Sequence, residues 1–489
     1  MRKKRDMSSV SKYSLSVAAL LLAAGCTVGP DYKRPDAPAP QGWASSTGKP
    51  TSVPTSQASE PTTQPVNTAR WWTAFNDPTL TRLIEESTTS NLDVRQSEAR
   101  IRQARATRGI STAAYYPTVD SSANFSRSRG SNFGTSNTSN KASNLYQAGF
   151  DASWELDVFG GVRRDVEAAD ADIVAAYEDR RDVLISLTAE VATNYLDLRG
   201  FQRRIAIAKN NLVLQQHNSD IARRRFNAGV VSGLDLANAE AQMAATSSQI
   251  PTLEQSARQS IYSLSVLLGK EPGALTAELS SDAPIPTTPP AVPVGLPSEL
   301  LRRRPDIRRS EAQLHAATAR VGVATADLYP KFSLTGSFGV QGRKAKDLGD
   351  WDNRFWNIGP AVSWPVFDAG RIRSNIAVQN ALTDQAVLTY SQSILTALQD
   401  VENALTAYAK EQQHRQALTQ TVVAYRRALD LATRLYNNGE TDFINVIAAQ
   451  GSLFNAEDSL VQSDRTVAAN LVALYKALGG GWQDMDNAR

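Results

Sequence analysis

The most reactive group in this chain is a lone thiol. Cys26 is the only cysteine among 489 residues, and Ala23-Ala24-Gly25 stands directly before it. Small residues ahead of a cysteine, following a short apolar stretch, make a lipobox, where signal peptidase II cuts and the thiol is acylated. The leucine usual three places before the cysteine is here Ala23, with Leu22 one place earlier. A single cysteine also excludes an intrachain disulfide. No other residues gather into a catalytic constellation. His217, His315 and His414 lie far apart inside helical patterns and read as helix-surface residues. Gly160-Gly161 reads as a strand-to-helix turn rather than a phosphate loop. Met243 and Met485 make no soft-metal relay. Neither an enzyme, a cofactor nor a metal is expected, and the covalent lipid on Cys26 is the one attached group.

The segments around Cys26 set the compartment. Arg2-Lys3-Lys4-Arg5 and the apolar Leu15 to Ala24 make residues 1–25 a lipoprotein signal peptide, too short in its apolar part to span a bilayer. Thr27, rather than Asp, after the cysteine favours sorting to the outer membrane. Residues 26–69, rich in Pro, Ser, Thr and Ala, have the composition of a lipidated, extended tether. A second Pro-rich stretch, Pro284 to Pro297, reads as a surface linker between the repeats, within a connector at 269–304 expected in the equatorial region. A net charge of +3 with 21% charged residues leaves no basic footprint for nucleic acid. After the signal no apolar run reaches transmembrane-helix length, so a membrane crossing requires strands.

The remainder is written twice. Asp93-Val94 returns as Asp306-Ile307, Tyr116-Pro117 as Tyr329-Pro330, Ser153-Trp154 as Ser363-Trp364, and Leu268-Gly269 as Leu478-Gly479. A steady offset over such length signals duplication of a structural unit, 70–268 against 305–478, with a tail at 479–489. Each repeat holds two strands of alternating polarity, at about 118–127 and 146–156, then 331–341 and 355–367. Each has the length of a tilted membrane strand, and Trp154, Trp356 and Trp364 near strand ends fit an aromatic girdle. Four strands cannot close a barrel, and an open sheet edge in lipid is forbidden. Several chains are therefore required; the strand count alone does not choose among two, three or four.

Helical patterns without proline run from Gly161 to about Asn227 and from Gly370 to about Asn437, rods of about 100 Å at 1.5 Å per residue. Each ends at an Asn-x-Gly turn, then returns as a helix of about half the length, Leu234 to Leu268 or Phe443 to Leu478. Shorter helices, Leu92 to Tyr115 and Asp306 to Tyr329, precede the first strand of each repeat. Strands thus attach to helices at one end, which leaves 127–145 and 341–355 as loops at the opposite, extracellular end.

Several stretches carry a family resemblance. They are Val28-Gly29-Pro30-Asp31-Tyr32, Leu296-Pro297-Ser298-Glu299-Leu300-Leu301 running into Arg304-Pro305-Asp306-Ile307, Ala326-Asp327-Leu328-Tyr329-Pro330, and Ala477-Leu478-Gly479-Gly480-Gly481-Trp482. Together they cover essentially the whole mature chain, which resembles the TolC-like outer-membrane factor family, and within it the OprM/NodT-type efflux lipoproteins. The resemblance implies an α+β membrane protein, a homotrimer whose twelve-stranded barrel continues into a coiled-coil periplasmic tunnel. It implies a passive exit duct for drugs or other small molecules, coupled to a periplasmic adaptor and an inner-membrane pump of the RND type. A type I protein-secretion duct on the same fold and, more distantly, a non-conducting coiled-coil scaffold are the alternatives. The tips Asn227, Gly229, Asp235, Asn437, Gly439 and Asp442 are the expected adaptor-docking turns. At the periplasmic aperture the family's apolar ring falls on Ile444, while its Asp and Arg positions fall on Ala448 and Gly451. The charged lock is missing, and an apolar constriction is expected instead.

Overall fold

The computed structural model describes residues 27–36, 40, 42–43, 60–62, 69–129, 142–229, 231–289, 291–293 and 297–483. Cys26, the signal peptide and the last six residues of the tail lie outside them. In chain order the elements are β1 (Glu60–Thr62), α1 (Pro78–Ser90), α2 (Leu92–Ala113), β2 (Thr118–Ser128), β3 (Ser143–Leu156), α3 (Gly161–Asn227) and α4 (Gly233–Leu267). There follow α5 (Thr276–Leu279), β4 (Ala291–Pro293), α6 (Pro297–Arg303), α7 (Pro305–Ala326), β5 (Lys331–Gly342), β6 (Arg354–Ser363), α8 (Arg371–Asn437) and α9 (Phe443–Ala477). The duplication is metrical: α2 and α7 each have 22 residues, α3 and α8 each 67, α4 and α9 each 35. No helix among the described residues is long and apolar enough to cross a membrane.

The chain forms two compact units. The first comprises Met1–Asp36, Arg100–Ala176 and Arg309–Ser391. Its centre is an antiparallel sheet in the order β2-β3-β5-β6, so the two repeats meet at the β3–β5 pairing. Register makes the alternation meaningful, because a slip of one residue would turn every side chain over. Phe125 pairs with Tyr146, Phe150 with Phe338 and Phe338 with Trp356, while Asp151 pairs with Asp120 on one side and Ser337 on the other. All four apolar rows share one face and all four polar rows the other.

The second unit comprises Ala37–Ala99, Tyr177–Arg308 and Gln392–Arg489. Its core joins Leu184, Val191 and Tyr195 of α3 to Leu264 of α4, Val401 and Tyr408 of α8, and Leu471 and Tyr475 of α9. Ion pairs tie α3 to α9: Arg204 Nε lies 2.6 Å from Asp458, and Arg465 pairs with Asp197.

Several boundaries depart from the sequence reading. The strand expected at 355–367 ends at Ser363, which pairs with Lys331, the first residue of β5, so the ladder has no partner beyond it. Helix α7 ends at Ala326 rather than Tyr329, consistent with the helix-disfavouring effect of Pro330 on the residue before it. The segment expected as a loop at 341–355 carries two 3-10 turns, Ala345–Gly349 and Trp351–Asn353. The Pro-rich stretch 284–297 is not a surface linker, since its Val292 is buried, and the rest of the connector 269–304 also enters the core. Leu275, Leu279, Val292 and Leu300 are buried in the core of the second unit. Its β4 pairs in parallel with β1, which lies within the supposed tether. Trp43, also in that tether, is buried in the same core. A 3-10 turn, Trp71–Phe75, and α1 had no counterpart in the sequence reading. They bring Trp72, Phe75 and Leu80 inside, and Trp71 stacks on Tyr475 at 5.4 Å.

Candidate functional site

Three regions carry the expected functional residues. The first is the sheet. Its apolar face is solvent-open within the single chain: Val119, Phe125, Phe150, Phe338, Ile358 and Val362 are all exposed. Its other face carries Asp120, Asp151, Ser333, Thr335 and Asn357, residues suited to an aqueous lumen. The expected girdle residues divide between the ends of the sheet. Trp154 Nε1 donates to Tyr115 O at 2.9 Å, and its repeat equivalent Trp364 donates to Leu328 O at 3.0 Å. Each indole clamps the turn between its hairpin and the helix that precedes it. Trp364 itself lies beyond the last strand residue. Trp356 occupies the opposite end, opposite Phe338.

The second region is the pair of hairpin tips in the second unit. Gly229 and Gly439 close α3 and α8 with φ of 71° and 78°, and a Cβ on either would meet nothing within 4 Å. At the second tip Glu440 N reaches back to Leu435 O at 2.9 Å, satisfying a helix-end carbonyl. Asn227, Asn437 and Asp442 are exposed and Asp235 half-buried. The two tips pack together: Ala222 and Ala239 of the first hairpin meet Tyr436, Phe443 and Val446 of the second, and Arg225 lies 4.4 Å above the Tyr436 ring. Phe443 and Val446 face that cluster, so Ile444 and Ala448 point away and are exposed. Gly451 is half-buried, one turn further along the same helix.

Close to the aperture lies a buried amide seam that the sequence reading missed. Asn218 Nδ2 donates to Gln450 Oε1 at 2.9 Å, and Gln450 Nε2 donates to Asn211 Oδ1 at 3.3 Å. Asn211, Gln215 and Asn218 recur at helix spacing on α3, and a run of amides on what should be an apolar stripe is the signal that could have revealed them.

The third region is a strap formed by residues 27–34 in the first unit. Arg164, buried at the start of α3, donates to Asp31 at 2.6 Å, to Glu167 at 2.7 Å and to the Val28 carbonyl at 3.1 Å. The Tyr32 ring stacks on His315 at 4.5 Å, and Arg34 lies 3.0 Å from Glu311. A Cβ on Gly29 would strike the Gly322 backbone, so this crossing requires glycine. His315 is thus no ordinary helix-surface residue: its Nε2 lies 3.0 Å from Glu167 Oε1. His217 and His414 are exposed, as expected. Burial, with Glu311 beside it, pushes the Tyr32 hydroxyl up to about 12. At Glu167 burial opposes ionisation, but hydrogen bonds from His315 and Arg164 outweigh it and hold the carboxyl below its ordinary range.

A sheet with one lipid-compatible face, one polar face and two unpaired edges, together with helical hairpins far longer than a sheet cover needs, defines a piece of an outer-membrane channel. The Outer membrane efflux protein family matches residues 83–270 and 296–480, one block per repeat. Nodulation protein T of Rhizobium leguminosarum bv. trifolii is 32% identical over 98% of this chain and 99% of its own. The toluene efflux pump outer membrane protein TtgI of Pseudomonas putida is 31% identical over 97% and 99%. Among solved structures, the outer-membrane channel OprN superposes with a TM-score of 0.85 at 38% identity, covering 94% of this chain and all of its own. The chain belongs to the outer membrane efflux protein family. It is the outer-membrane component of an efflux system, an exit duct.

Proposed function

We propose that three copies of this chain close their sheets into one twelve-stranded barrel, and that small molecules leave through its polar lumen. The carrying observation is the shared register: four apolar rows on one face, four polar rows on the other, with β2 and β6 left as edges. Such edges require partners in lipid. Four strands reach the family's barrel only by multiplication, since closed barrels of this kind begin at about eight. The periplasmic hairpins carry the duct toward a periplasmic adaptor, which docks at the tips around Gly229 and Gly439, and toward an inner-membrane pump of the RND type. The acyl group on Cys26 anchors the chain beside the barrel; the duct needs no other cofactor.

Ile444 and Ala448 form the resting constriction. They share an exposed face of α9, and neither carries charge, so closure rests on dewetting of an apolar ring. Planar-bilayer recording of the purified protein tests the duct: a small resting conductance is expected, largely independent of salt once corrected for bulk conductivity, because no ion pair at the ring is there to be screened. Ile444→Ser should raise it. A protein that never conducts, or that opens steeply with salt, overturns this reading. Labelled palmitate should enter the wild type and not Cys26→Ser.

A further inference from the structure

The lipid-compatible face of the sheet bears two charges among its described strand residues, and both are arginines at the same end. Side chains on that face are the odd residues of β2 and the even residues of β3, β5 and β6. Reading toward the end remote from the helices, β2 runs Ala123, Phe125, Arg127, and β6 runs Ile358, Trp356, Arg354. The inner strands finish on the same face with Asn144 and Gly342. The carboxylates Asp120, Asp151 and Glu155 have the opposite parity. Each edge strand therefore carries the same vertical order, apolar then aromatic then arginine. No ion pair with a described residue neutralises either arginine, and no Asp or Glu occurs from Ser121 to Phe150.

Arg354 is preoriented. Its Nη1 donates to Trp351 O at 3.0 Å and its guanidinium lies 4.6 Å from the Trp351 ring centre, which leaves most of its N–H donors free. Trp351 and Trp356 are both exposed. In the closed assembly proposed above, on which this inference rests, β6 of one protomer lies beside β2 of the next. Arg354 and Arg127 then flank each seam at its extracellular rim, above a band of aromatic rings.

We propose that each protomer seam binds a phosphorylated glycolipid of the outer leaflet, with Arg127 and Arg354 holding its headgroup phosphate and Phe125 and Trp356 flanking its acyl chains. A guanidinium matches a phosphate with paired, charge-assisted hydrogen bonds that an ammonium cannot make. Positioning both arginines on edge strands makes the site complete only when protomers join, so the lipid also staples the seam.

The test is native mass spectrometry of the full-length detergent-purified assembly, mixed with bisphosphorylated lipid A or with its chemically dephosphorylated form. Wild type should retain about one phosphorylated lipid per seam and discriminate against the dephosphorylated form. R127Q/R354Q should retain it about tenfold less or weaker, as loss of charge-assisted hydrogen bonds implies. R127K/R354K, which keeps the charges, should fall between; K331Q, on the polar face at the other end, should match wild type. Equal retention by R127Q/R354Q, or retention that ignores phosphate, overturns the site, and lysine variants equal to wild type reduce it to simple charge attraction. The same spectra count protomers: a wild-type protein that is not trimeric overturns the closed assembly instead. Should R127Q/R354Q fail to assemble, the lysine pair still decides.

Discussion

The two long helices make a controlled comparison. Both α3 and α8 have 67 residues. Each follows a glycine of positive φ, Gly160 or Gly370, and each has first-turn N–H groups bound by an aspartate, Asp157 or Asp368. Each stops at Asn-x-Gly. Their burial nevertheless differs. Helix α3 places Val166, Leu184, Leu187, Val191, Leu196 and Leu198 inside. Helix α8 leaves Val378, Leu382, Leu388, Leu395, Val423 and Leu431 exposed. Duplication copied the backbone, caps and turns, then assigned the copies different neighbours. The contrast is one of degree: α3 also exposes Val213 and Leu214, and α8 buries Val401 and Tyr408. The exposed apolar stripe is nevertheless longer on α8 and matches what a second copy would cover in a closed ring.

The sharpest way to break that comparison is a charge on each helix. Leu184 is fully buried, while Leu388 and Leu395 are 69% and 61% exposed. Leu184→Asp would bury an unpaired carboxylate at a cost of several kcal/mol, enough to abolish folding of a marginally stable unit. Leu388→Asp with Leu395→Asp should leave the protomer helical and prevent assembly. Circular dichroism and native mass spectrometry separate the two outcomes. An α8 double variant that still assembles would show that its stripe is not an interface.

The tips come next, where the repeats should behave alike. Gly229→Val and Gly439→Val meet no steric obstacle, so any effect comes from forcing a β-branched residue to positive φ, about 1–3 kcal/mol of local strain. Adaptor binding and drug resistance should fall with assembly intact. Gly→Asn at either site should be milder, since asparagine tolerates this conformation. Normal resistance in both valine variants would count against docking at the tips.

What was legible in the sequence followed from local periodicity. Alternation in 146–156 and 331–341 carried over into the face each side chain occupies, because a two-residue period admits only two settings. The Asn-x-Gly turns marked both hairpins. Features resting on contacts between distant residues left no periodic trace. Val292 sits among prolines, and nothing local shows that its segment adds to a strand at 60–62. Arg164 and Asp31 lie 133 positions apart, and Tyr32 stacks on a histidine even further away. Trp71–Phe75 is too short for a helical pattern, yet it brings three large rings into the core.

A smaller effect is expected from the indole clamps. Trp154 and Trp364 hold equivalent carbonyls, but Trp154 is half-buried and Trp364 exposed. Trp154→Phe should lose about 1 kcal/mol, the net worth of one protein hydrogen bond, and Trp364→Phe less, because water replaces its partner. Guanidinium midpoints of the refolded protein measure both. Equal losses would mean that the clamps serve the bilayer interface rather than the fold.

The finest difference between the repeats is the strap, which grips the start of α3 through Arg164. The sign of its pH dependence follows from two groups. Glu167 is held below its ordinary pKa, so its contribution is complete above the ordinary glutamate range and is lost as pH falls through the lowered value. Tyr32 is raised from 10.0 to about 12, so its contribution is complete below 10 and disappears as pH rises between 10 and 12. The strap should therefore stay seated across the intervening range and loosen at both extremes. A nitroxide on Lys33→Cys in a Cys26→Ser background reports this directly, since Lys33 is exposed. Its mobility should be low and flat from about pH 5 to 10. Glu167→Gln, which removes the charge facing Arg164 and His315, should raise mobility at neutral pH and flatten the acid limb alone. Tyr32→Phe keeps the stacked ring and should remove only the alkaline limb. If Glu167→Gln leaves the acid limb unchanged, another carboxylate, such as Asp31 or Glu311, holds the strap, and the asymmetry between α3 and α8 at this end has a different origin.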